Sequence, residues 1–217
     1  MKKHLFLTGE RQIGKSTAIR RFLEAAGDRG LLTGRTGGFR SVKTDFEDGT
    51  AKVYLVSLTD PVFDEDHVFM ELGAWHKKTA RDPEEEHFDE TPGGFSRPFG
   101  EKGPLVKLDV FNREGVRLLK ETEGCSLILM DEIGFAESNA EEFRQAVLDV
   151  LDGDCPVLGV LRKDETPFLR QLRERPDVLL LTVTEENRDL IPELLLFGLS
   201  LNGNRLDNCS VIGQEKE

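Results

Sequence analysis

The sequence predicts an α/β fold, a three-layer sandwich in which helices cover both faces of a mainly parallel central sheet. Three observations carry this. The short apolar run Leu5-Phe6-Leu7 passes through a glycine-bounded loop into a helical pattern. Residues 126–130 are apolar almost throughout, as in a strand buried on both faces. From 106 to 200, strand-like and helix-like segments alternate, the order that builds parallel sheets. The 217 residues fit a single domain over 1–200, with the polar, patternless residues 201–217 as a flexible tail.

The elements follow in order. After the first strand, Ala18, Ile19, Phe22, Leu23 and Ala26 recur at helical spacing, and Gly27 is the expected stop. Residues 37–43 and 51–58 read as a hairpin around Glu47-Asp48-Gly49-Thr50. The stretch 59–104 breaks the pattern and is too long for a bare connector, so it reads as an insertion or lid. Its histidines, His67, His76 and His87, read as part of a solvated loop rather than a metal site. Order resumes with a strand at 106–110, and Asn112 is the expected cap of the next helix. Ser138 and Glu141 have capping-box spacing ahead of Phe143, Ala146, Val147, Val150 and Leu151 on one helical face. A strand follows at 156–161. Thr166-Pro167 opens a helix with its proline at a tolerated position. The last strand spans 178–183, and Pro192 places the start of the final helix near Asp189, leaving Asn187 and Arg188 in the preceding loop.

Bulk properties narrow the function. A net charge of −12 argues against non-specific nucleic-acid binding, which needs cations to neutralise phosphates. Lys2 and Lys3 precede only three consecutive apolar residues, whereas a secretory core needs about 7–15. No run approaches the roughly 18 apolar residues of a membrane span. Cys125, Cys155 and Cys209 lack Cys-x-x-Cys spacing, and the first two read as small buried side chains. The expectation is a cytoplasmic chain with no membrane or nucleic-acid partner, its protein partners left open.

One motif carries chemistry outright. Residues 9–16 read Gly-Glu-Arg-Gln-Ile-Gly-Lys-Ser, the pattern G-x-x-x-x-G-K-[ST] between a strand and a helix. Such a P-loop wraps a polyphosphate with backbone N–H groups at a helix N-terminus. It assigns Gly9, Glu10, Arg11, Gln12, Ile13, Gly14, Lys15, Ser16 and Thr17 to nucleotide binding. Lys15 meets the β/γ oxygens and Ser16 is a Mg²⁺ ligand. The strand at 126–130 ends in Asp131-Glu132-Ile133-Gly134, where Asp131 is the expected second metal ligand and Glu132 the residue that activates water. Asp131-x-x-Gly134 also fits a GTPase motif, but the sequence offers no Asn-Lys-x-Asp to read guanine. Arg162, at the carboxyl end of the 157–161 strand, is the candidate cation for charge developing on the γ-phosphate, with Lys163 beside it. Arg35 and Arg40 are weaker candidates.

Together the motifs resemble a small nucleoside-triphosphatase family known from hyperthermophiles, with a vertebrate member called cancer-related nucleoside-triphosphatase. The resemblance rests on Leu5-Phe6-Leu7-Thr8-Gly9 with Gly14-Lys15-Ser16-Thr17, and on Leu129-Met130-Asp131-Glu132-Ile133-Gly134. Phe143-Arg144-Gln145-Ala146-Val147 and Val183-Thr184-Glu185-Glu186-Asn187-Arg188-Asp189 strengthen it. It implies a P-loop α/β sandwich that hydrolyses nucleoside triphosphates (ATP, GTP and others) to diphosphate and phosphate with Mg²⁺, and it puts Asn187 and Arg188 beside the nucleotide. Glu10 and Arg11 depart from the small or proline residues usual in that family's loop. Two other readings fit the same motifs. One is a kinase using 59–104 as a lid, with Lys77, Lys78, Arg81 and Arg97 holding an acceptor. The other is a binding module that a nucleotide switches.

Overall fold

Strands buried on both faces organise the protein, with successive side chains packing on opposite layers. The computed structural model describes residues 3–72, 89–91, 95–97 and 104–202. In β1 (His4–Thr8) every residue is buried. Leu5 and Leu7 pack on α1 (Lys15–Asp28) and α6 (Ile191–Asn202), while Phe6 points to the other face. The same alternation holds in β8 (Leu127–Ile133), where Leu127 and Leu129 face α1 while Ile128 and Met130 face away. That second face is closed by α4 (Glu141–Asp152) and α5 (Pro167–Arg173). It also receives the helical stretch made of α2 (Leu108–Val110), a π turn (Phe111–Gly115) and α3 (Val116–Lys120). The three layers expected from sequence are present.

The remaining strands are β2 (Thr36–Asp45), β3 (Ala51–Ser57), β4 (Val68–Leu72), β5 (Asp89–Thr91), β6 (Phe95–Arg97), β7 (Leu105–Lys107), β9 (Val157–Leu161) and β10 (Val178–Thr182). Among the described residues they join β1 and β8 in one sheet of ten, in the order β10-β1-β9-β8-β2-β3-β4-β7-β6-β5. The five strands from β10 to β2 are parallel and hold the helices; from β2 onward the pairing is antiparallel. The described parts of 59–104 are thus largely strands that widen the sheet. His76, His87, Lys77, Lys78 and Arg81 lie outside the described residues, as do residues 203–217 of the expected 201–217 tail, whose first two residues instead end α6. His67 is described, and its ring meets Asp64 at 2.5 Å and Glu114 at 3.3 Å.

The structure moves several boundaries for identifiable reasons. Helix α1 runs through Gly27 and stops at Gly30, whose φ of +64° is left-handed. There Leu31 N–H donates to Ala26 O at 2.9 Å and Gly30 N–H to Gly27 O at 3.0 Å, a Schellman closure. Residues 108–110 are helical rather than strand. Asn112 sits inside the π turn and does not cap its own helix; its Oδ1 accepts from Phe143 N–H at 3.2 Å, serving the first turn of α4. That leaves no capping box for Ser138, and Ala140 occupies the N-cap of α4. The opening of α5 is as expected, with Thr166 Oγ1 accepting from Leu169 N–H at 3.2 Å. The final helix begins at Ile191, one residue ahead of Pro192.

Candidate active site

The P-loop owes its shape to three residues in left-handed conformations, Gly9 (φ +141°), Gln12 (φ +62°) and Gly14 (φ +108°). At Gly9 a Cβ would also fall 2.5 Å from Val183 O, so the loop lies directly on the exit of β10. Ile13 turns into the core under α1 and anchors the loop. Gln12, Gly14, Lys15, Ser16 and Thr17 line an open pocket of ≈ 200 Å³, and Glu132 forms its opposite wall.

Lys15 is buried, and its ammonium donates to Gly9 O at 3.0 Å and Glu10 O at 2.8 Å. Burial lowers its pKa, against the opposing pull of Glu132 and Asp131. Ser16 Oγ donates to Asp131 Oδ1 at 3.0 Å, joining positions 115 residues apart. Burial pushes the Asp131 carboxyl up to about 6, opposed by the Ser16 hydroxyl and the Lys15 and Arg40 charges. Arg40 is directly across the ladder from Asp131, and its Nε is buried without a hydrogen-bond partner among the described residues.

Strand order explains how Arg162 enters. Because β9 lies between β1 and β8, its carboxyl end opens between the P-loop and the Asp131-Glu132 pair. Arg162 follows β9, with Nη1 3.9 Å from Glu132 Oε1 and Nε 2.8 Å from Asp164 Oδ2. Its guanidinium lies over the Phe135 ring at 4.7 Å, a favourable cation–π distance. Lys163 forms an ion pair with Glu10 and holds that carboxyl below its ordinary pKa. The loop residue Glu10 is thereby tied to Lys163, just past β9, whereas Arg11 is exposed without such a tie among the described residues.

The last two expected residues divide their roles. The side chain of Asn187 closes its own loop: Oδ1 accepts from Thr184 N–H at 2.9 Å and Nδ2 donates to Thr182 O at 3.0 Å. Arg188 is exposed, with its Cδ 4.0 Å from where a Cβ on Gly14 would stand. Arg35 is not part of the site, since its guanidinium binds Glu121 O and Glu123 O behind α3.

Glu137 is the residue that sequence reasoning missed. It is buried and its Oε1 accepts from Gly134 N–H; burial pushes its pKa up to about 7, Gly134 N–H works against that, and the Glu132 charge adds to it. The only signal in the sequence was a lone acid behind Phe135-Ala136, which periodicity cannot distinguish from a surface residue.

Fold and site together define a P-loop α/β protein with two acidic residues facing the loop. Comparisons with known proteins point the same way. A family model described as "NTPase" matches residues 93–196. The protein named nucleoside-triphosphatase THEP1 of Methanosarcina barkeri is 38% identical over 97 residues, 42% of this chain and 55% of that one. Its namesake in Thermofilum pendens is 38% identical over 94 residues, covering 42% and 52%. The chain spans about half the length of these two relatives. The namesake in Aquifex aeolicus matches over 204 residues at 23% identity, covering 88% of this chain and 96% of that one. The crystal structure of THEP1 from Aquifex aeolicus superposes with a TM-score of 0.62 at 20% identity, over 92% of this chain and 99% of that one. The solution structure of a human cancer-related nucleoside triphosphatase gives 0.60 at 22%, over 94% and 99%. The resemblance is therefore present in sequence, through the archaeal and bacterial relatives, and in fold, through the Aquifex and human structures. Among the described residues no helix is long and apolar enough to cross a membrane.

Proposed function

We propose that this chain is a nucleoside-triphosphatase that hydrolyses nucleoside 5′-triphosphates, ATP among them, to diphosphate and phosphate with Mg²⁺. The observation that carries this is the Ser16–Asp131 contact beside a pocket lined by Ser16, Lys15 and Glu132. A hydroxyl and a buried carboxylate are hard oxygen donors, and two protein ligands leave the other positions to phosphate and water, as Mg²⁺ prefers. Ser16 and Asp131 would hold the ion, which when bound supplies positive charge to the β and γ oxygens.

Each remaining group has a task in this reading. The amides of 12–17 and the Lys15 ammonium bind the phosphates, Lys15 exchanging its two loop carbonyls for phosphate oxygens. Glu132 orients the attacking water and accepts its proton. Arg162 meets the charge that builds on the transferring group. Arg188, lying over Gly14, is placed to contact the nucleotide, and Asn187 keeps that loop in shape. Free phosphate measured from ATP, GTP, CTP and UTP, with and without Mg²⁺ and with no acceptor present, tests the reading. Metal-dependent release supports it, and saturable nucleotide binding without release refutes it.

A further inference from the structure

We propose that Glu137 is a positioning residue, which sets the separation of Glu132 and Arg162 by pinning Gly134 beneath the arginine. The inference rests on the hydrolase reading for its catalytic meaning, but its structural content stands apart.

Gly134 is held at both ends of its residue: Glu137 Oε1 accepts from its N–H, and Ser138 Oγ donates to its carbonyl at 3.0 Å. Ser138 Oγ also lies 3.0 Å from Thr166 Oγ1, tying the loop to the cap of α5. Immediately before it, Ile133 O accepts from Arg162 N–H at 2.9 Å. The arginine side chain lies flat on Gly134, where a Cβ would stand 2.4 Å from its Cδ. From that seat the guanidinium reaches Phe135, Asp164 and Glu132. On the far side, Arg173 donates to Arg162 O at 2.5 Å and to Asp164 O at 2.8 Å, fixing the backbone of the 162–164 turn.

The loop's course does not itself need a carboxyl. Ser138 N–H to Phe135 O at 3.2 Å and Ala140 N–H to Glu137 O at 3.0 Å already fold it. What Glu137 adds is a partner for the one N–H beneath the arginine, and an acid within the fields of both Arg162 and Glu132. Burying an acid there is unfavourable, so an uncharged turn residue would be the more stable choice if only the turn mattered. A displacement of about 1 Å between reacting groups can cost on the order of 10²-fold in rate.

The test compares Glu137→Ala, Glu137→Gln and Gly134→Ala in the full chain. Steady-state phosphate release and fluorescent-nucleotide affinity are read well below each variant's Tm, with the Arg162 Nε–H resonance followed in the nucleotide-free protein. Glu137→Ala is expected to lower kcat about tenfold or more with KM within about twofold, and to broaden the Arg162 resonance. Glu137→Gln keeps an acceptor oxygen for Gly134 N–H and should restore both. Gly134→Ala pushes the arginine off its seat and should reproduce the kcat loss even if Glu137→Ala fails to fold. A wild-type kcat and resonance in Glu137→Ala and Gly134→Ala overturn the proposal. If the wild-type chain releases no phosphate, the hydrolase reading falls, and the resonance alone decides the role of Glu137.

Discussion

The two ends of the parallel strands are built on opposite terms. At the amino end the buried and half-buried polar groups described are paired. His4 is buried, its Nδ1 accepting from Val157 N–H at 3.1 Å and its Nε2 donating to Leu151 O at 2.9 Å. Nearby, Arg175 pairs with Asp177 at 2.7 Å and Asp152 at 2.8 Å, and Cys155 Sγ donates to Cys125 O at 3.0 Å. At the carboxyl end, Asp131 and Glu137 are buried acids with raised pKa, Arg40 Nε lacks a hydrogen-bond partner among the described residues, and three loop residues adopt left-handed backbone. One end is satisfied and holds the strands together. The other concentrates buried and imperfectly matched polar groups, as sites that do chemistry commonly do.

Substitutions at the two ends should therefore separate rate from stability. The largest effect is expected from Glu132→Gln, which keeps Mg-nucleotide affinity and Tm but lowers turnover by about 10²-fold or more. Equal turnover in variant and wild type would remove Glu132 from the mechanism. Next, His4→Leu leaves Val157 N–H and Leu151 O unpaired, with an expected loss of about 1–3 kcal/mol in denaturant unfolding and unchanged kcat in the folded fraction. A fall in kcat without loss of stability would erase the distinction between the ends.

The pH dependence sharpens the contrast. Burial lowers the pKa of His4 from an ordinary 6.5 to about 4, so the unfolded chain binds its proton first. Stability from neutral His4 is complete above about pH 6.5 and fades as pH falls toward 4, so the gap between wild type and His4→Leu should narrow across that window. Asp131 and Glu137 have the opposite sign: their raised pKa values favour the folded state as pH falls through about 6 and 7. A gap that widens on acidification would contradict the buried, neutral imidazole. The smallest effect belongs to the exposed Glu10–Lys163 pair: Glu10→Gln should change nucleotide affinity by less than about fivefold, because exposed ion pairs contribute little. A larger change, read by nucleotide titration, would place Glu10 inside the phosphate contacts.

Local chemistry was legible in the sequence; long-range partnership was not. Gly9, Gly14, Lys15 and Ser16 announce a phosphate loop because their spacing is a backbone requirement, and the apolar run before Asp131 announces a buried strand ending at the site. Which strand separates β1 from β8 has no local signature, so the central position of Arg162 emerged only from the topology. Asn112 and Ser138 were misassigned for the same reason. Each carries a capping side chain, but the groups they serve lie on other segments: Asn112 bonds to Phe143 N–H, and Ser138 bonds to Gly134 and Thr166. Gly27 is the first glycine of the helical pattern, whereas the left-handed Gly30 three residues later is the one that closes the ladder.

Strand β2 pairs with β8 through residues 36–40 and with β3 through residues 39–45, so one continuous strand joins the parallel and antiparallel portions and Phe39 and Arg40 pair on both sides. Loss of either portion would leave part of that strand's edge unpaired. Heating should therefore show a single calorimetric peak whose measured and van't Hoff enthalpies agree, rather than two steps.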